Sequence, residues 1–587
     1  LILLAVVAVF LPVCWHEFLE WDDNVNIAHN DDFKPLTSDS LAHYWTAPKY
    51  EEYLPVTYTV WGLLSVNAYN PATGEIDPTT YHALNLIFHG LAALVVYALL
   101  MELGAARWAA CAGAVLFAIH PLQVEPVAWA TGLKDVLSGL LCLCALWCYV
   151  RFIRYQGNRS IRIGFYAGSV VAFLLAILAK PTAVSLPLAA GAIAFFILKR
   201  GFRQTILDML PWLVPAITLA LVAMHAQPAK FATHVAPVYL RPVIALDALA
   251  FYVYKFFLPL HLMVDYGRTP GWVLHNPQVY FTWFIPIGLA LAAWLLRRRA
   301  PWVAAGLLVF AAAPAPLLGI IPFGFQTLST VTDRYVYAGL LGPAIILAFV
   351  LTRWHGRVIT GIVIAALLAL VVRAALQVPY WQDTESVFNH TAQLNPSSTL
   401  AKLNIGVIRL HQDRLAEAKT DFVDVLAIDP GDVKARTNLA SVLVREGQPD
   451  AAIAEYNRVL AAEPGNAEAH YDLGNVLLRT RRPAEAIPHY QEALKLLSQH
   501  AGVHTNLGIA LAMMNRPDDA IAELKRAVEL DSNNARLHTQ LGDLMASRGD
   551  YAGAMEHFTD ALRIDPNLQS AQQKYAMLQQ FLQQRPR

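Results

Sequence analysis

Two adjacent carboxylates stand in the stretch Trp21-Asp22-Asp23-Asn24, a few residues beyond the end of the first apolar segment. Neighbouring Asp side chains at a membrane surface repel one another, and in an extended or turn conformation they point to different partners. One can then take up a proton while the other holds a cation or a hydroxyl. A hydrated loop with a helix cap is the plainer account of the same residues.

Further ionisable groups recur downstream. His82, Asn85 and His89 fall at i, i+3 and i+7 on one helical face, which suits either an interhelical hydrogen-bond seam or a ligand site. No third ligand follows locally, so no metal is expected there. In His120-Pro121-Leu122-Gln123-Val124-Glu125, which joins two helices, Pro121 and Glu125 can equally be turn and first-turn residues. Lys134 and Asp135 are successive residues on a helix and cannot face each other, so each needs its own partner or water. Lys180-Pro181 and Asp333-Arg334-Tyr335 add two cations that can snorkel, or bind an anionic ligand.

The elements that must position these groups are apolar. The chain has 44 basic and 44 acidic residues, so net charge points to no nucleic acid, and 56% hydrophobic against 15% charged residues is high for a soluble protein. Residues 1–378 are apolar runs joined by short charged connections, and 379–587 read as an ordinary helical sequence, which places a boundary at Val378-Pro379. Eleven candidate spans result: 1–14, 81–101, 106–120, 126–150, 163–180, 182–198, 209–225, 279–296, 301–321, 335–352 and 358–378. Segments 53–68 and 244–262 are interrupted by polar residues, and Asp247, Lys255 and His261 make the second an interfacial or re-entrant helix.

Putting the basic connections 151–162, 199–203, 297–299 and 353–357 inside requires eleven crossings and brings Asp22, His120, Glu125, Lys180 and Arg334 to the outer face. An outer loop, 15–53, would carry the paired carboxylates. Cys14, Cys111, Cys142, Cys144 and Cys148 all lie in apolar runs without metal-site flanks, as small packing residues do. The chain opens at Leu1 within an apolar run, so the natural N-terminus is expected upstream.

After residue 397 the sequence repeats. Gly406, Ala440, Gly474, Gly508 and Gly542 stand 34 apart, as do Ala418, Ala452, Ala486, Ala520 and Ala554, and the bulky Phe422, Tyr456, Tyr490, Leu524 and Phe558. This is the tetratricopeptide period, in which small residues let two helices approach and the bulky one fills the groove. A half-repeat and five full repeats are expected over 379–567, with a polar capping helix at 568–587. Asn404, Asn438, Asp472, Asn506 and Gln540, two positions before each small residue, would form a ladder of amides and carboxyl on the concave face, suited to a peptide backbone.

The ordered set Trp21-Asp22-Asp23, His82…Asn85…His89, His120-Pro121-Leu122-x-Val124-Glu125, Lys134-Asp135-Val136-Leu137-Ser138, Lys180-Pro181 and Asp333-Arg334-Tyr335, followed by helical repeats, resembles the transmembrane and tetratricopeptide-repeat protein family, in a bacterial form. The resemblance covers nearly the whole chain. It implies an all-α fold, a multispanning GT-C-like membrane domain followed by a tetratricopeptide-repeat α-solenoid. It also implies a lumenal-type O-mannosyltransferase activity that takes a sugar from a polyprenyl phosphate.

Ala130-Thr131-Gly132-Leu133 and Tyr53-Leu54-Pro55 depart from the family, which has an acidic-basic pair and an Arg-Pro there. The implied chemistry needs a base for the acceptor hydroxyl, for which Asp22 or Asp23 qualifies, and cations for the leaving phosphate, for which Arg334 and Lys180 qualify. His82, His89, His120, Glu125, Lys134 and Asp333 would line the donor site, with no cofactor beyond the donor itself and no metal. The expected function is sugar transfer, with mannose the candidate, to a protein Ser or Thr hydroxyl, in a bacterial inner membrane with the repeats binding the acceptor on the periplasmic side. The rival is a membrane-anchored scaffold whose repeats assemble cell-envelope proteins. A transporter would show inverted repeats, and the sequence has no such symmetry.

Overall fold

The computed structural model describes residues 1–49, 52–226 and 236–584, so positions 50–51 of the loop expected at 15–53 and 585–587 of the expected capping segment lie outside the described residues. The chain divides into two compact units, Leu1–Asn404 and Ile405–Arg587. Both are helical, and the described strands are one short hairpin pairing Tyr69–Asn70 with Glu75–Ile76.

In the first unit, local signals start and stop the longest helix. Asp77 accepts from the Thr79 N–H, Pro78 occupies the first turn, and Gly104 at φ 99° ends Pro78–Leu103. Five described helices are long and apolar enough to cross a membrane: Pro78–Leu103, Ala130–Arg154, Arg159–Ala179, Val279–Leu296 and Arg357–Trp381. Arg107–Ile119 with Pro121–Ala128 adds a sixth only as a pair bent by 52°. Ile2–Trp15, Pro181–Ile197, Pro301–Ala312 and Ala338–Arg353 are shorter apolar helices. Helix Phe202–Ala226 carries the run 209–225, so each of the eleven apolar runs expected as spans carries helix, some of it short or bent.

Proline and tight turns shape these runs locally. The run 126–150 begins with a 3-10 turn at Ala130–Gly132 before Leu133–Arg154 continues, and the run 301–321 stops being helical at Ala312, ahead of Pro314 and Pro316. Segment 244–262 is helical only as Arg241–Phe257. Asp247 there pairs with Arg268 at 2.5 Å, and Lys255 donates to the carbonyls of Leu260 and His261. Val279–Leu296 and Arg357–Trp381 expose nearly all of their apolar faces, including Leu291, Trp294, Ile362 and Leu368, far more than water tolerates on one surface. These helices make the chain a membrane protein.

Two further helices meet backbone to backbone. A Cβ on Gly342 would lie 2.2 Å from the Gly306 carbonyl oxygen, so the helices Pro301–Ala312 and Leu341–Arg353 cross where neither has a side chain. All five cysteines are free thiols in apolar surroundings.

In the second unit the repeat register is built as expected. Gly474, Gly508 and Gly542 each face the bulky residue of the following helix, and an added Cβ would come within 2.7–2.9 Å of Tyr490, Leu524 and Phe558. The sequence pattern also holds a capping column. Asp432, Asn466, His500 and Asn534 each accept from the N–H three residues on and start the first helix of a repeat. These four helices are followed by a left-handed residue, in turn Gly447, Arg481, Asn515 and Gly549, only two of which are the glycine such a site favours.

Candidate functional site

The adjacent carboxylates have opposite fates. Asp23 is fully buried and accepts from the Leu19 N–H and the Thr131 N–H, each at 2.9 Å, so it clamps the loop after Trp15 to the turn before Leu133–Arg154. Burial pushes its carboxyl up to about 7, against the pull of those hydrogen bonds, with a smaller push from Asp22. The Asp22 side chain is 35% exposed and faces the Lys134 ammonium at 4.0 Å, while Glu52 approaches the same ammonium at 3.4 Å. Desolvation raises the Asp22 carboxyl; Lys134, Arg334 and Lys180 pull it down, and Glu52 pushes it up.

Lys134 and Asp135 do find separate partners. Lys134 takes Asp22 and Glu52, and Asp135 forms an ion pair with Lys180 while its Oδ2 has no hydrogen-bond partner. Arg334 is paired with Glu125, whose two oxygens also accept from the Thr332 hydroxyl at 2.8 and 2.9 Å and from the Arg334 N–H at 3.2 Å. The guanidinium sits among the rings of Phe325, Tyr335 and Trp129, 4.7–5.3 Å from their centroids. Trp129 is in turn stacked on Trp21 at 4.9 Å, next to Asp22.

A cleft opens between these groups. Asp135, Lys180, Arg334 and Tyr335 form its polar end, and residues such as Leu146 and Leu186 form its apolar wall. Lys180 and Arg334 line this cleft, with Glu125 paired to Arg334, while Asp22 and Lys134 form a separate pair near enough for Asp22 to feel both cations, and Asp23 is engaged by backbone N–H groups.

The histidines make their contacts elsewhere. His89 is fully buried. Its Nε2 donates to the Ala118 carbonyl at 2.8 Å, which leaves Nδ1 to accept from the Tyr337 hydroxyl at 3.0 Å. His120 donates from Nε2 to the Phe256 carbonyl at 2.9 Å and accepts at Nδ1 from the Leu122 N–H. His82 reaches the Glu17 carbonyl at 3.4 Å, and Asn85 donates to the Trp129 carbonyl at 2.8 Å. Asn85 and His89 on this face thus bond to neighbouring helices and turns, and His82 Nδ1 is without a hydrogen-bond partner among the described residues. Asp333 accepts from the Tyr266 hydroxyl at 2.8 Å.

Sequence reasoning passed over Glu52, Asp135 and Thr332 as site residues. The signal for the first two was the requirement that Lys134 and Lys180, as cations at a membrane edge, each need a carboxylate. Thr332 carried no signal in sequence, because its role depends on a partner 207 residues away.

In the repeats, Asn438, Asp472 and Asn506 are half-buried and Gln540 is exposed. Asn506 donates to Asn475 at 2.8 Å, and burial together with Glu468 raises the Asp472 carboxyl to about 6. Asn404 lies in the other unit and donates to the Leu400 carbonyl of its own helix.

Tetratricopeptide-repeat family models match residues 437–501, 477–544 and 535–568. Protein O-mannosyl-transferase Tmtc1 of Drosophila melanogaster is 29% identical over 29% of this chain and 20% of its own length. A protein O-mannosyl-transferase of Caenorhabditis elegans is 23% identical over 66% of this chain and 56% of its own. Because the unit Ile405–Arg587 is less than half of the chain, that second match extends well into the apolar unit. The chain spans only 14–20% of the length of the first three curated relatives it matches. The solved structure of YrrB, a TPR protein, aligns with 32% of this chain and 97% of its own at 22% identity and a TM-score of 0.30. By sequence and by helical architecture this is a membrane protein with tetratricopeptide repeats, similar to the animal protein O-mannosyl-transferases.

Proposed function

We propose that the chain is a membrane glycosyltransferase that moves a sugar, mannose by analogy with its relatives, from a polyprenyl phosphate to a Ser or Thr hydroxyl of a polypeptide. The observation that carries this reading is the cleft with a polar end at Asp135, Lys180, Arg334 and Tyr335 and an apolar wall. A lipid phosphate has the same division, an anion on an apolar tail. In the transfer, the acceptor oxygen bonds to the anomeric carbon as the bond to the phosphate oxygen breaks, and the phosphate leaves with the electron pair. Asp22, the partly exposed carboxylate, takes the acceptor's proton, and Asp23 holds the loop that carries it. Lys180 and Arg334 face the departing phosphate, each held in place by a carboxylate. The repeats would bring the acceptor chain through Asn438, Asp472, Asn506 and Gln540, on the non-cytoplasmic side of a bacterial inner membrane.

The test is mass spectrometry of envelope proteins from cells carrying the wild type, Asp22→Asn or a deletion. A hexose increment on Ser or Thr that depends on Asp22 supports the reading; identical glycopeptides in all three strains overturn it. One observation favours a second reading. Both cations meant for the phosphate are neutralised inside the protein, by Asp135 and Glu125, as a scaffold descended from an enzyme would have them. A scaffold would keep its captured envelope partners in Asp22→Asn with no change in glycosylation.

A further inference from the structure

One column of the repeats does work that the proposed transfer leaves unused. Arg436, His470, His504 and His538 stand 34 apart on the first helices of successive repeats, and each reaches back to a carbonyl six residues upstream, of Pro430, Pro464, Ser498 and Ser532. The other end of each side chain meets the residue 19 further on, in the second helix of its repeat: Glu455, His489, Glu523 and His557. Where the pair is Arg–Glu the contact is an ion pair, and where it is His–Glu a ring nitrogen meets a carboxylate oxygen. Where it is His–His, two ring nitrogens face each other.

In the last full repeat this pair gains a third group. His538 Nδ1 and His557 Nδ1 lie 3.1 Å apart, Asp560 Oδ2 lies 4.0 Å from His538 Nδ1, and ligand atoms of all three fall within 4.8 Å of one another. A tetrahedral ion with metal–nitrogen bonds of about 2.0–2.1 Å sets its ligand atoms about 3.3–3.4 Å apart, close to the observed nitrogen separation. The second shell is in place as well. His538 Nε2 donates to the Ser532 carbonyl at 3.2 Å, which fixes the tautomer and leaves the Nδ1 lone pair turned to the pair. Asp560 gives Oδ1 to Arg563 at 2.8 Å and keeps Oδ2 toward the histidines. The partner site two repeats earlier has the same His–His contact, at 2.9 Å, but Glu492, at the position of Asp560, gives both oxygens to Lys495.

We propose that His538, His557 and Asp560 form a binding site for a divalent transition-metal ion such as Zn²⁺, with solvent completing the coordination, and that the ion staples helix Ala535–Ser547 to helix Tyr551–Ile564. Imidazole nitrogens with one carboxylate suit zinc, nickel or copper and do not suit calcium or magnesium. His557 and Asp560 are partly exposed, so an ion can reach them from solvent.

The test uses the full-length chain in detergent, metal-stripped and titrated with Zn²⁺ and with Co²⁺. The wild type should take up one ion in the micromolar range, with Co²⁺ giving the visible bands of a low-coordinate nitrogen–oxygen site. His557→Gln and Asp560→Asn should each weaken binding by about tenfold or more, and His489→Gln should leave it unchanged. Because His557 and Asp560 sit at the surface of their helix, far-ultraviolet circular dichroism should be that of the wild type in both. Zn²⁺ should also slow amide exchange across residues 535–564 in the wild type and not in His557→Gln. Absence of a stoichiometric ion, or one indifferent to both His557→Gln and Asp560→Asn, or one lost equally in His489→Gln, overturns the proposal.

Discussion

Replacing the two adjacent carboxylates one at a time separates a clamp from a reactant. Asp23 has no exposure to water, and Asp23→Ala strips the partner from the Leu19 and Thr131 N–H groups. A buried donor left unsatisfied costs about 1–3 kcal/mol, so the pair costs about 2–6 kcal/mol, and no side-chain atom is left to satisfy either. Asp22→Asn removes a partly exposed contact to Lys134 at 4.0 Å, which is worth about 0–1 kcal/mol. The assay is unfolding of the detergent-solubilised protein followed by tryptophan fluorescence, since the stacked Trp21–Trp129 pair adjoins the loop. It is run beside sugar transfer to an acceptor peptide. Asp23→Ala should lower the unfolding midpoint strongly and lose transfer with it, and Asp22→Asn should unfold like the wild type while losing transfer. If Asp23→Ala is as stable as the wild type, or Asp22→Asn is equally damaged, the division of labour between the two is wrong.

Other outcomes follow from the same geometry. Lys134 pulls the Asp22 carboxyl down, so Lys134→Met should raise it further; because a base must be ionised, the acid limb of the pH–rate profile should move to higher pH, and a limb that stays or moves to lower pH contradicts the assignment. Arg481 holds φ 60°, a conformation that costs an L-residue about 1–2 kcal/mol, and Arg481→Gly should slow amide exchange in the helices on either side of it, an effect absent if the turn relaxes in solution. Asp472 titrates near 6 when folded, above its unfolded value, so its contribution to stability is full below about pH 4 and is lost as pH rises through 6. Asp472→Asn should therefore protect helix Ala467–Arg479 from exchange at pH 7.5 and match the wild type near pH 4; equal effects at both pH values would count against burial as the cause.

The 34-residue register, the small and bulky positions of the repeats and the apolar character of the first 378 residues were legible in the sequence, because helix periodicity and repeat packing are local properties that each segment carries by itself. So was the need of Lys134 and Asp135 for separate partners, which follows from helix geometry alone. Other features waited for the tertiary structure. Nothing local distinguishes Asp22 from Asp23, since burial and the Thr131 N–H come from a segment 108 residues away. Nor does sequence tell that the ring nitrogens of His89 and His120 meet Ala118, Tyr337 and Phe256. Hydropathy marks apolar runs, and only the structure shows which of them bend, as Arg107–Ile119 with Pro121–Ala128 does by 52°. The His538–His557 contact escaped for the same reason as the Arg334–Glu125 pair: residue type says that a side chain can bind, and only the packing of distant segments decides what stands opposite it and whether water is excluded.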